Sequence, residues 1–315
     1  MSTVDDEPFI LLLNPRAGAG RAGARREELE GALHRAGARF ETWLTAGPGD
    51  ATQLVRKAIA QGAPGVAVVG GDGTLSEAVG GFFDEAGHAV KTPMWLGPLP
   101  CGTGGDFRKT LGLGRDPTES VAHLLAAQPR RIDLGYLRHV DDDGRPAGRA
   151  FLNIASCGIG GLVDRLVNDG PKWMGGTPAF FLGTMRAMLR YRNRRVRIQL
   201  DDGEPRQASI LNLAVANGRF FGGGMEIAPR AQLDDGLFEV VGVESPGVLS
   251  QLAQTPHIYR GTLLGREGIT YARAAKVVVE PADHGGPILL DVDGEAPGAL
   301  PATFEMHAGA LSLRG

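Results

Sequence analysis

The chain is poor in cysteine: Cys101 and Cys157 are the only two in 315 residues. Two thiols build neither a disulfide framework nor the paired ligands of a zinc site, so a reducing, cytoplasmic compartment is expected. Neither sign of charge is in excess, since 33 basic and 36 acidic residues leave a formal net charge of −3. That balance argues against global attraction to nucleic acid, and it restricts any contact with an anionic membrane to a local patch. No apolar run approaches the roughly 20 residues of a membrane-spanning helix. Phe9–Leu13 is too short to insert, and Met1–Pro8 is polar and acidic, unlike a signal peptide. The G-x-x-x-x-G-K-[ST] phosphate loop is missing too, so any nucleotide must be held by a different turn.

Glycine is abundant, at 48 of 315 residues, where the usual share is about 7%. With 43% hydrophobic and 22% charged residues the chain should be globular and soluble, and its length allows two domains. The most informative stretch is Val66–Glu77, Val-Ala-Val-Val-Gly-Gly-Asp-Gly-Thr-Leu-Ser-Glu. Four apolar, mostly β-branched residues read as a buried strand, Gly70, Gly71 and Gly73 force a turn, and a helix is expected over 75–86. A strand breaking on glycines into a helix is a phosphate cradle, because backbone N–H groups can approach the anion closely. Asp72 would repel a bare phosphate, which points to a magnesium-bound nucleotide. Taken without the rest of the chain, the same residues also make an ordinary glycine-rich βα turn.

Upstream, Phe9–Leu13 reads as a strand, followed by Asn-Pro-Arg-Ala-Gly-Ala-Gly-Arg (14–21) and a helical pattern over 24–36. Gly18, Gly20 and Gly23 match G-x-G-x-x-G, with Glu41 near the place of a ribose-binding acid, so a dinucleotide fold is a rival. Against it, Asn14-Pro15 delays the glycines beyond the strand end. Residues 39–45 read as a second strand and 49–61 as a helix. Thr45, at that strand's carboxyl end, is either a helix-entry hydroxyl or a group facing the crevice of the glycine loops. A further strand, 94–99, runs into Pro-Cys-Gly-Thr-Gly-Gly-Asp-Phe (100–107), a second glycine-rich turn ending in an acid. Cys101 has no His partner nearby in sequence and reads as a small filler. A helix over 117–128 closes four strand-to-helix units, which imply a parallel sheet with its loops at one edge.

From Arg131 the rhythm changes to β. Segments 131–140 and 149–156 flank an Asp-Asp-Asp-Gly-Arg-Pro turn, and 195–200 and 207–216 flank Asp201-Asp202-Gly203, each reading as an antiparallel hairpin. More strands fit 237–243, 276–280, 288–292 and 303–307. Between Gly170 and Leu200 there is no acid, but Lys172, Arg186, Arg190, Arg192, Arg194, Arg195 and Arg197 are basic. Trp173, Met174, Phe180, Phe181, Leu182, Met185, Met188 and Leu189 supply apolar surface beside them. The segment is either a membrane-surface element that guides a lipid or a packed helix with a solvated basic end.

The Gly-Gly-Asp-Gly-Thr loop at 70–74 resembles that of the diacylglycerol kinase catalytic family, which includes bacterial lipid kinases and sphingosine kinases; NAD kinases and phosphofructokinases carry related loops. The Asn14-Pro15 loop is similar to the family's first motif, and 100–107 resembles its Pro-x-Gly-Thr-x-Asn-Asp-Phe motif, with Gly105 in place of Asn. Residues 217–225 and 229–237 resemble two further motifs of the bacterial members, and Leu290–Glu295 resembles the family's Asp-Gly-Glu motif. The resemblance runs from Asn14 to Glu295. It implies an N-terminal α/β domain with a parallel sheet, residues 1–130, and a β-rich, largely antiparallel acceptor domain, residues 131–302, with a last strand, about 303–314, returning to the first domain.

The activity implied is transfer of the γ-phosphoryl group of ATP, as its Mg²⁺ complex, to a lipid hydroxyl. Nucleotide contacts are expected at Asn14, Pro15, Gly18, Thr45, Gly70, Gly71, Asp72, Gly73, Thr74, Gly102, Thr103 and Asp106. By the resemblance, Gln232 and Leu237 offer backbone ligands and Asp235 a carboxylate ligand to a structural Mg²⁺. Glu295 is the candidate base with Asp293 assisting, and Asp72 organises the metal. An NAD kinase-like activity on a soluble acceptor, or a silent nucleotide- or lipid-binding regulator, are the alternatives. A lipid substrate, no nucleic acid, and peripheral contact at the inner membrane face complete the expectation; a homodimer stays open, as does the lipid.

Overall fold

The computed structural model describes residues 7–101, 105–114, 116–168, 191–244 and 248–315. The chain divides into two compact units, Met1–Leu134 with His307–Gly315, and Gly135–Met306. The first is α/β with a parallel sheet and the second is β-rich and antiparallel, the fold class expected from the sequence.

In the first unit β1 (Phe9–Leu13) lies between β2 (Phe40–Leu44) and β3 (Gly65–Gly70), with β4 (Trp95–Pro100) beyond β3, and all three pairings are parallel. Every residue of β1 and β3 is buried. A parallel strand covered on both faces needs apolar side chains in both directions, which is why these segments are continuous apolar runs. The short α1 (Arg21–Ala24) and α2 (Arg26–Arg35) follow β1, α3 (Asp50–Ala60) follows β2, and α4 (Asp72–Gly80) follows β3. After β4 come α5 (Asp106–Thr110) and α6 (Pro117–Ala126), the latter capped by Asp116, whose side chain accepts from Thr118 N. Leu11, Leu13, Val69 and Leu99 of the sheet meet Leu29 and Leu33 of α2 and Val121 and Leu124 of α6 in one apolar cluster.

The helix expected over 75–86 is α4, Asp72–Gly80, displaced toward the turn. It begins directly at the glycine turn because Gly71 is extended and Asp72 is already helical. It stops where α3 comes close: a Cβ on Gly81 would lie 2.5 Å from Val55 Cγ1. Phe82 and Phe83 then turn into the core instead of continuing the helix.

The chain enters the second unit within β5 (Arg130–Val140), which forms a hairpin with β6 (Pro146–Phe151). There follow β7 (Ile154–Gly158), α7 (Ile159–Asn168), β8 (Arg194–Leu200), β9 (Arg206–Ile210) and β10 (Asn212–Ala216). A two-strand ribbon of β11 (Phe220–Phe221) and β12 (Met225–Glu226) precedes β13 (Phe238–Val243), α8 (Val248–Tyr259) and β14 (Ile269–Ala274). Last come β15 (Lys276–Pro281), β16 (Leu290–Val292) and β17 (Ala299–Leu313). One antiparallel sheet has the order β14-β13-β10-β7-β16. The other carries β17-β15-β8-β9. Leu213, Phe238 and Leu290 from the first sheet pack with Val196, Val277 and Phe304 from the second, so the core is a sandwich filling. Near its end β17 belongs to the first unit, where Ser312 and Leu313 pair in parallel with Trp95 and Leu96 of β4.

Two expected strands are each divided. Residues 149–156 form β6 and β7, which lie in different sheets, because Leu152 N, Asn153 N and Ile154 N donate to the Asp293 carboxylate. Residues 207–216 form β9 and β10, broken at Leu211, whose N–H donates to Val243 O at 2.7 Å. Helices α5, α7 and α8 and strand β14 have no counterpart in the sequence reading.

Candidate active site

In a parallel sheet all strands end at one edge, so the loops after β1, β2, β3 and β4 leave from one side of the first unit. The ladder is continued at that edge by Asn14 N to Val69 O at 3.1 Å, Thr45 N to Leu13 O at 3.0 Å and Cys101 N to Gly70 O at 2.8 Å. Three of the predicted motifs meet here. Asn14 Nδ2 donates to Thr74 Oγ1 at 2.9 Å, joining the Asn-Pro loop to the glycine turn. The Thr74 side chain folds back over Gly70, where a Cβ would lie 2.6 Å from Thr74 Cβ. Gly70 therefore has to be glycine if Thr74 is to close the turn. Gly18 and Gly20 take positive φ, 62° and 86°, around Ala19 at 59°. This left-handed run lifts the loop away from β1, unlike a dinucleotide turn that starts at the strand end.

Asp72 joins the third loop. Its Oδ2 accepts from Gly105 N and Asp106 N, both at 2.8 Å, so the glycine turn and the second motif are held together by one carboxylate. Burial pushes the Asp72 carboxyl above its ordinary range, against these N–H donors, which favour the ion. Asp106 is buried and its Oδ1 accepts from Lys109 Nζ at 3.0 Å. A cleft of about 230 Å³ opens between Asn14, Thr45, Pro48, Thr74 and Glu77. A second space of about 30 Å³ lies among Gly70, Gly71, Asp72, Gly105 and Arg108. Pro15 packs against the helix that follows its loop, where Gly23 leaves room for its carbonyl: a Cβ there would be 2.9 Å from Pro15 O. The structure thus brings together Asn14, Thr45, Gly70, Asp72, Thr74 and Asp106. Gly102 and Thr103 lie outside the described residues, as do residues 169–190 of the basic apolar segment.

In the second unit, Val292-Asp293-Gly294-Glu295 is a tight turn after β16. Asp293 and Gly294 have φ of 51° and 88°, and Val292 N donates to Glu295 O at 2.8 Å while Glu295 N donates to Val292 O at 3.1 Å. Two successive positive φ values define a type I′ turn, for which Asp-Gly is a preferred pair. The Asp293 carboxylate is directed inward, accepting from Leu152 N, Asn153 N and Ile154 N at 3.0, 3.1 and 3.0 Å. So placed, Asp293 braces the turn that carries Glu295. Asp291, also buried, accepts from Gly294 N at 2.9 Å and braces the turn from the other end. Glu295 is half exposed and its Oε2 lies 2.8 Å from Arg149 Nη2.

The loop of Gln232, Asp235 and Leu237 leads into β13. Asp235 Oδ1 accepts from Leu237 N at 3.1 Å, while Oδ2 pairs with the Arg273 guanidinium. Arg273 Nε also reaches Glu239 Oε1 at 3.2 Å. Glu239 is buried, and its Oε2 has no hydrogen-bond partner among the described residues. Asp235 and Glu239 share the Arg273 guanidinium, so a hard cation on this loop would compete with that guanidinium for the Asp235 carboxylate. Among the described residues no group of three or more His, Cys, Asp or Glu stands together. Any cation here therefore depends on carbonyls besides Asp235, as the resemblance implies.

The described part of the basic segment is less free than its composition suggests. Arg194 is bound to Asp283 at 2.7 Å and holds that carboxyl far below its ordinary range, and Arg197 pairs with Glu280. Arg192 and Arg195 are exposed. Sequence reading missed Arg108, Arg149, Glu239 and Arg273, which stand outside any motif and are brought to the sites by strand pairing and helix packing alone.

Residues 8–137 match the model of the diacylglycerol kinase catalytic domain, and residues 153–315 match that of the YegS C-terminal NAD kinase beta sandwich-like domain. A probable lipid kinase YegS-like from Chromohalobacter salexigens is 33% identical over 268 residues, covering 85% of this chain and 81% of that protein. A diacylglycerol kinase from Bacillus subtilis is 28% identical, covering 93% of this chain and 91% of its own. The crystal structure of a candidate diacylglycerol kinase from Bacillus anthracis superposes with a TM-score of 0.77 at 24% identity, covering 98% of this chain and 97% of that one, and establishes the shared fold.

Proposed function

The chain belongs to the diacylglycerol kinase family of lipid kinases, and from that premise we propose that it transfers the γ-phosphoryl group of Mg-ATP to the hydroxyl of a lipid. The observation that carries this reading is the junction at Asp72, where one carboxylate ties the Gly70–Thr74 turn to the Gly105–Asp106 turn. The two glycine-rich turns then form a single anion cradle, which the Asn14 loop closes through Thr74.

In this reading Gly70, Gly71 and Gly73 present backbone to the phosphates, and Thr45, Asn14 and Thr74 line the nucleotide cleft. Asp72 and Asp106 place negative charge where a cation is required between carboxylate and phosphate. Bound magnesium supplies charge neutralisation on the triphosphate. Glu295 takes the proton of the attacking lipid hydroxyl as its oxygen bonds to the γ-phosphorus and the bond to the ADP oxygen breaks. The Asp293 strut holds Glu295 on a tight turn, and Arg149 pairs with its carboxylate and orients it. Gln232 and Leu237 carbonyls with the Asp235 carboxylate would hold a second, structural magnesium. Catalysis is then largely positioning and charge compensation.

The test is incubation with γ-labelled ATP and a panel of lipid extracts, with labelled products identified by mass. Label in a phosphorylated lipid, absent with Glu295→Gln, is expected; label only in NAD, or released only as phosphate, would contradict the reading.

A further inference from the structure

Gly105 is the position where the chain departs from the family motif, which carries asparagine there, and the structure gives the departure a reason. Gly105 has φ of 116°, and a Cβ built on it would lie 2.6 Å from Nε of Arg108, 2.9 Å from its Cδ and 3.1 Å from its Cγ. Real Cβ atoms essentially never show contacts under 3.0 Å, so a side chain at 105 and Arg108 in its present place exclude one another. The guanidinium is anchored at its other side, where Nη1 donates to Leu113 O at 2.9 Å. Between these contacts Arg108 lines the small space that Gly70, Gly71, Asp72 and Gly105 also line. It is a half-buried cation beside the turn where phosphate would sit, and a planar guanidinium matches phosphate oxygens with two parallel N–H bonds.

We propose that Arg108 binds the outer phosphates of the nucleotide at the Gly70–Thr74 turn, and that residue 105 is glycine to leave room for it. The proposal rests on the reading of this turn as a nucleoside triphosphate site. Arg108 serves there as a binding and positioning residue: it shields the outer phosphates from Asp72 and orients the γ-phosphorus, while proton transfer stays elsewhere.

The experiment titrates wild type, Arg108→Ala and Arg108→Lys with ATP, ADP and AMP in the presence of magnesium by calorimetry. Losing one charge-assisted contact should weaken ATP by about 10- to 100-fold in Arg108→Ala and leave AMP within about twofold. Arg108→Lys, which keeps the charge but not the fork, should recover part of the loss. An Arg108 that only braced Leu113 would lower all three affinities together and leave the ATP-to-AMP ratio unchanged; that result, in both variants, would overturn the proposal while the nucleotide reading stood. A wild-type protein that binds none of the three would bring down both.

Discussion

Asp72 carries two demands that pull against each other. In the proposed function it is an ion that organises a cation at the phosphates, yet burial pushes its carboxyl above its ordinary range. A carboxyl whose folded pKa lies above its unfolded one weakens the fold when ionised: the penalty is absent below about pH 4 and is present in full once the pH passes the raised value. Asp72→Asn keeps an oxygen for Gly105 N and Asp106 N and removes the charge. Its thermal midpoint at pH 7 should equal or exceed that of the wild type, with the difference closing as the pH falls toward 4, while phosphoryl transfer drops by about 100-fold or more. A midpoint several degrees lower at pH 7 would contradict this account of the residue. Asp293 shows the opposite economy. Three backbone N–H groups bind it, so it serves as a brace for the turn that carries Glu295.

Among the elements, those with a strong local signal were legible in the sequence. The buried parallel strands are short apolar runs, and the hairpins at 141–145 and 201–203 are written in Asp and Gly. The glycine turn after β3 was legible because its glycine spacing is itself the local signal. What decides the breaks at 152–153 and 211 is tertiary: the acceptors are Asp293 and Val243, far along the chain, and no local pattern announces them. The early start of α4 belongs to the same class, fixed by Gly71 leaving the strand in extended form. Arg108 was invisible for a like reason, since its meaning depends on the empty side of Gly105. The basic segment illustrates how composition misleads at this scale. Arg194 is engaged with Asp283 and Gly286, so its charge serves the fold. Any membrane contact from the described part of this segment falls to Arg192 and Arg195. Arg192→Glu with Arg195→Glu should reduce sedimentation with vesicles rich in anionic lipid, at about 1 kcal/mol of attraction lost per basic residue, without change in turnover on detergent-dispersed lipid. Unchanged sedimentation would remove these residues from a membrane role.

At the scale of the whole molecule, the proposed function separates gripping from proton transfer. The first unit supplies glycine turns, Asp72 and Asp106; the second supplies Glu295 on a turn built into its sandwich, and the Asp235 loop. Among the described residues no helix is long and apolar enough to cross a membrane. The central claim is that division of labour, and one paired measurement reaches it most directly: affinity for a non-hydrolysable magnesium triphosphate, set beside turnover on lipid, in Asp72→Asn and Glu295→Gln. Glu295→Gln should keep its nucleotide affinity within about twofold and lose turnover by about 100- to 10,000-fold, whereas Asp72→Asn should lose both. A Glu295→Gln protein that turns over at the wild-type rate, or that loses nucleotide affinity as Asp72→Asn does, would contradict it.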